Sequence, residues 1–138
     1  MRKVVMEKMV NRQYHHFDGQ EKIVGRLATQ IVRVLSGRGR VDFTPHIDAG
    51  DFVVVTNTDG LILTGNKAKL KTYHHYSGYP GGITSITFEN QMKKDSRKIL
   101  EMAVYGMLPK NKLRDRMMTR LLLIQGAEST YPVHIEHN

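Results

Sequence analysis

Phe52-Val53-Val54-Val55 is an unbroken apolar run set directly behind Gly50-Asp51. Side chains on a strand alternate between two faces, so a strand with no polar member has both faces covered. That condition is met inside a parallel sheet sandwiched between other layers, and it argues against an antiparallel sheet with one face in water. The flanking segments agree. Tyr14-His15-His16-Phe17-Asp18 reads as a short strand ended by Gly19. Val24, Leu27, Ala28, Ile31, Val32 and Leu35 then recur at helical spacing, with Arg26, Gln30 and Arg33 on the opposite side and Ser36-Gly37 as the stop.

Beyond the apolar run, Asn57-Thr58-Asp59-Gly60 is a turn signal, and Leu61-Ile62-Leu63-Thr64 reads as a second short strand. Asn66 to Lys71 suits a helical turn, and Ile83 to Phe88 alternates like a strand near an edge. Ile99, Leu100, Ala103, Val104 and Met107 mark another amphipathic helix, capped by Asp95 or Ser96 and stopped by Pro109. Asn111 caps a shorter basic helix to about Thr119. Leu121-Leu122-Leu123-Ile124 reads as a last buried strand closed by Gly126, and the stretch from Ala127 shows no period. Alternation of strands and helices with buried strands predicts an α/β layer structure with a mainly parallel sheet.

The 138 residues suggest one domain. They divide into a basic N-terminal arm (1–13), an α/β domain (14–126) and a C-terminal tail (127–138). The arm, with Arg2, Lys3, Lys8 and Arg12, lacks the apolar stretch of a secretory signal. No apolar run approaches the length of a membrane span. Cysteine is absent, so there is no disulfide framework and no thiolate chemistry. A cytoplasmic location is expected.

Net charge is +8 and unevenly placed. Residues 41–66 hold four Asp and no Lys or Arg, whereas residues 93–120 hold nine Lys/Arg against three Asp/Glu. In the middle of that second stretch, Gly106-Met107-Leu108-Pro109-Lys110-Asn111 makes a stiff corner between two helices. Fixed, clustered positive charge is what a polyphosphate surface binds.

Enzymatic and metal chemistry find less support. His15-His16 and His74-His75 are adjacent pairs whose side chains diverge on a strand, and His134 and His137 lie in the tail. No metal site and no cofactor are expected. His46, Asp48 and Asp51 offer a general base beside an orienting acid, but the two carboxylates equally suit bonding to backbone amides or pairing with an Arg. Gly37-Arg38-Gly39 follows a helix, whereas phosphate loops join a strand to a helix, so no mononucleotide loop is expected. Lys67, Lys69 and Lys71 followed by Tyr73-His74-His75-Tyr76-Ser77-Gly78 have the composition of an RNA surface: cations for phosphates, rings for unpaired bases, and Gly where backbone approaches closely.

With these residues assembled, the chain resembles the universal large-subunit ribosomal protein L13 family. The resemblance runs from about Phe17 to Gly126 through five segments in family order: Val24-Gly25-Arg26-Leu27-Ala28; Thr44-Pro45-His46-Ile47-Asp48-Ala49-Gly50-Asp51; Leu63-Thr64-Gly65-Asn66-Lys67; Ser77-Gly78-Tyr79-Pro80-Gly81-Gly82; and Ala103-Val104-Tyr105-Gly106-Met107-Leu108-Pro109-Lys110-Asn111. It implies a three-layer α/β/α domain with a four-stranded parallel sheet. It also implies a structural, non-enzymatic constituent of the large ribosomal subunit that binds 23S-type rRNA directly, early in assembly. Neighbouring ribosomal proteins would cover part of its surface. No membrane, small-molecule substrate or homo-oligomer is implied.

The chain departs from the family pattern at three places. It has no Trp in the first strand, Gly37-Arg38-Gly39-Arg40 replaces a Gly-Lys-His-Lys type stretch, and Glu128 to His134 replaces a His-Pro-His segment. The expected RNA contacts form three patches. Arg38 and Arg40 make the first. Lys67, Lys69, Lys71, Tyr73, His74, His75, Tyr76, Ser77 and Gly78 make the second. Lys110, Asn111, Lys112, Arg114, Arg116 and Arg120 make the third. The alternatives are an RNA- or nucleotide-processing enzyme using His46, Asp48 and Asp51, or a free RNA-binding regulator such as a translational repressor.

Overall fold

In a computed structural model that describes residues 11–137, the apolar run becomes β2 (Phe52–Thr56), an interior strand. It pairs in parallel with β1 (Tyr14–Asp18) on one side and β5 (Leu121–Leu123) on the other. β6 (Ile135–His137) adds in parallel to the far side of β1, giving the order β5-β2-β1-β6. The architecture is three-layer α/β/α around this parallel sheet. Val53, Val54 and Val55 are wholly buried, as both-faced coverage requires.

α1 (Val24–Ser36) packs along β2 and against α4 (Arg97–Met107) and α5 (Leu113–Thr119). Its apolar stripe, Leu27, Ala28, Ile31 and Leu35, meets Ile99, Leu100 and Val104 of α4 and the Phe17, Val53 and Val55 side of the sheet. Each large member of that stripe stabilises the fold by about 2 kcal/mol through burial. α1 ends at Gly37, whose left-handed φ of 77° lets its N–H return to the Val34 carbonyl at 3.2 Å. At the α4 start, the Asp95 carboxylate accepts from Arg97 N–H at 3.1 Å. Ser96 instead turns its hydroxyl inward, to Asp59 at 2.6 Å and Thr58 at 2.8 Å. At the basic helix, Asn111 Oδ1 accepts from Leu113 N–H at 3.0 Å.

Several elements differ from the sequence expectation. Leu61 to Thr64 does not extend the sheet. Asn57 takes a left-handed φ of 56°, residues Thr58–Gly60 form a 3-10 turn, and only Ile62 makes an isolated parallel bridge, to Ile23. Its backbone serves the β1–α1 connection: Ile62 N–H donates to Lys22 O and Val24 N–H to Ile62 O. Of Leu121 to Ile124, Leu121–Leu123 forms β5, an edge strand that is half-buried and not covered on both faces. The stretch from Ala127 supplies β6, a strand too short to show a period. Thr72 to Tyr76, read from the sequence for its RNA-binding composition, is β3. It pairs antiparallel with β4 (Ile83–Thr87) in a separate hairpin carried by α2 (Lys67–Leu70) and α3 (Phe88–Lys94). Arg2, Lys3 and Lys8 of the expected arm lie outside the described residues.

Candidate nucleic-acid interface

The Thr44–Asp51 segment lies where the C-terminal end of α1 meets the start of β2 and β5. Gly50 is pressed so closely against α1 that an added Cβ would sit 1.7 Å from Leu35 O. Arg120, immediately before β5, runs into this junction and is 5% exposed. Its guanidinium meets the Asp48 carboxylate with two bonds of 2.6 Å and donates to Leu35 O at 2.9 Å. A cation bonded to the last turn of a helix also complements the negative end of the helix dipole. Arg12 joins the same knot through Gly50 O and, at 2.9 Å, Asp48 O.

A second cluster sits beside it. Asp51 Oδ2 bonds His15 Nε2 at 2.9 Å, and His15 Nδ1 bonds His137 Nε2 at 2.8 Å. Asp51 Oδ1 accepts from Gln13 N–H and from Arg40. These contacts tie β1, β6 and the 44–51 segment together.

This arrangement changes the meaning of two sets of candidates. Asp48 and Asp51 are occupied by guanidinium, imidazole and backbone donors, whereas His46 is exposed and bonds to neither. The base-and-acid geometry of the enzyme alternative is therefore not assembled. Arg120 belongs to the interior and is spent on Asp48 and α1, so the structure does not place it with the exposed cations of the third patch. Among the described residues, no group of three or more His, Asp or Glu stands together as a metal site.

The remaining cations are mostly free. Arg38, Lys67, Lys69, Lys110, Lys112 and Arg116 are exposed, and none has a side-chain hydrogen bond or ion pair among the described residues. Arg40 is half-buried and shared between Asp42 and Asp51, both at 3.3 Å. Arg114 lies over the Tyr105 ring, 3.9 Å from its centroid, and bonds the phenol oxygen at 2.7 Å. Asn111 caps α5 from an exposed position.

The first patch borders the end of α4. Thr29, Val32, Arg33, Arg38 and Met107 line one groove of about 480 Å³, so the loop after α1 borders the end of α4 and its Gly/Pro corner. Arg33, seen in the sequence only as part of a polar helix face, is exposed in this groove and has no partner among the described residues. The second patch occupies the hairpin. Lys71 lies 5.8 Å from the Tyr73 ring centroid, and burial raises the Tyr73 phenol above its ordinary value. His74 is held between Thr72 and Ser85 hydroxyls, at 3.2 and 2.7 Å. His75 and Tyr76 are exposed, as are Ser77 and Gly78, where the chain turns with a φ of 88°. Ser77 N–H closes this loop on Gly82 O at 3.1 Å.

Comparison with known proteins points the same way. The family model described as Ribosomal protein L13 matches residues 12–130. The chain is 48% identical over 122 residues to the large ribosomal subunit protein uL13 of Clostridioides difficile, covering 88% of this chain and 85% of the relative. It is 47% identical over 119 residues to uL13 of Legionella pneumophila strain Corby, covering 86% and 83%. It is 44% identical over 128 residues to uL13 of Tolumonas auensis, covering 93% and 90%. The match spans β1, β2 and β5, the Arg120–Asp48 junction and all three basic patches, and this chain belongs to the ribosomal protein L13 family.

Proposed function

We propose that this protein is a structural constituent of the large ribosomal subunit, binding large-subunit rRNA directly and supporting subunit assembly and translation. The observation that carries this reading is the set of exposed cations, Arg38, Lys67, Lys69, Lys110, Lys112 and Arg116, that are unpaired among the described residues, on a scaffold whose buried cation, Arg120, is already neutralised. Cations without internal partners bind phosphates at no cost to folding, and each one engaged releases counterions. Arg33 joins them in this reading, and Arg120 is left out. The exposed rings of His75 and Tyr76 supply stacking surfaces on the hairpin.

A-form RNA hides its major-groove base edges, so a rigid shape with placed cations selects a folded junction more than a sequence. Residues 14–126 form the proposed rRNA-binding domain, completed by β6 from the tail. Exposed apolar residues elsewhere, Met102 and Tyr105 on α4 and the half-buried edge strand β5, suit neighbouring ribosomal proteins.

The test is filter binding to large-subunit rRNA and co-sedimentation with ribosomal particles. Wild-type protein is expected to bind rRNA and to travel with large subunits near one-to-one in high salt. Lys112→Glu/Arg116→Glu is expected to fold normally and bind at least tenfold more weakly at low salt, since each reversal both removes a phosphate contact and adds repulsion, about 1.4 kcal/mol or more in sum. Arg114 is a poorer probe because reversing it also breaks the Tyr105 stack. Protein found only in the soluble fraction would instead support the free-regulator alternative.

A further inference from the structure

Between α1 and the β1–β6 side of the sheet lies a cavity of about 440 Å³, lined by His15, Phe17, Gln30, Arg33, Arg40 and His137 among others. Its size falls within the range of about 300–1,000 Å³ common to small-molecule sites. His137 is fixed there from two sides. Its ring stacks on Phe17 at 4.4 Å with an interplanar angle of 4°, and its Nε2 bonds His15 at 2.8 Å. The imidazole is thus a held, half-exposed flat ring in the cavity wall.

The charges within the cavity are arranged by depth. Asp51 is buried and committed to His15 and Arg40, and Arg40 is balanced by Asp51 and Asp42. Arg33 is exposed, and neither its guanidinium nor the Gln30 amide has a partner among the described residues. A ligand that fits has a flat ring for His137, an edge for Gln30, and an anionic group outward at Arg33, away from Asp51.

We infer that this cavity receives one unpaired nucleotide of the bound RNA, base inward on His137 and phosphate outward on Arg33. The inference rests on the rRNA-binding reading. Gly37 and Gly39 also line the cavity. One unpaired cation at the rim holds a free mononucleotide weakly. Attachment to RNA already bound by the other patches supplies the effective concentration.

Two measurements on the full chain test it. In complex with large-subunit rRNA, His137 is expected to become protected from diethyl pyrocarbonate. In the free protein, adenosine 5′-monophosphate is expected to shift the His137 ring resonances more strongly than ribose 5-phosphate. Arg33→Ala is expected to weaken that nucleotide about fivefold, by loss of a charge-assisted contact, without changing thermal stability. His137→Phe, which keeps a flat ring, is expected to retain binding better than His137→Ala. Tight rRNA binding with His137 as reactive as in the free protein overturns this inference alone. Equal shifts from ribose 5-phosphate show anion contact without base recognition and also overturn it. Failure of the wild-type chain to bind rRNA at all overturns the parent reading, and this one with it.

Discussion

Arg120 shows how a single side chain changes role with depth. In the sequence it is the last member of a basic run, and in the fold it is a buried cation clamped by Asp48 and Leu35 O. Removing one member of a buried pair leaves the other charge desolvated, so Arg120→Ala is expected to cost about 3–5 kcal/mol in urea unfolding. Arg120→Ala/Asp48→Ala is expected to cost less than the sum of the two single changes. His137 offers a second test at this scale. Burial, and then the proximity of His15, hold it below its ordinary value of 6.5. Its neutral form is therefore favoured by folding. The stability it contributes is present above about pH 6.5 and is lost as pH falls through that value toward the folded one. Melting temperature is expected to fall between pH 7.5 and 5.5, and His137→Phe is expected to shrink that difference.

Among the elements, β6 and the hairpin make opposite demands. β6 covers the outer edge of β1, with His134 N–H donating to Tyr14 O at 3.0 Å and His137 lying on Phe17. Truncation after Ala127 is expected to lower the urea midpoint clearly and to speed amide exchange in β1, because backbone groups and the Phe17 ring lose their partners. Among the described residues, the hairpin β3–β4 pairs only with itself and reaches the body through α2 and α3. Lys67→Glu/Lys69→Glu is accordingly expected to leave the melting temperature within a few degrees of wild type while reducing rRNA affinity.

For the whole molecule, the controlling quantity is how many free cations meet phosphate at once. If about six phosphates are engaged, rRNA affinity falls by roughly three orders of magnitude between 50 and 200 mM salt. Each exposed cation removed, such as Arg116→Gln, is expected to flatten the log–log salt slope by about one unit. Arg120→Lys, a buried change, is expected to leave that slope unaltered in whatever fraction remains folded.

The sequence alone determined the layer architecture, because an apolar β-branched run at residues 52–55 has no stable home except inside a covered sheet. It also determined α1 and α4, whose apolar spacing and stop signals act within a few residues, and the basic helix that Asn111 opens. The L13 family segments were legible for the same reason, being contiguous in the chain. Tertiary structure alone decided which cations face solvent, since burial depends on partners far away in sequence: Asp48 for Arg120, Tyr105 for Arg114, and none among the described residues for Arg33. It likewise decided that residues 135–137 become a strand, because three residues carry no period and pair only when the edge of β1 is already in place.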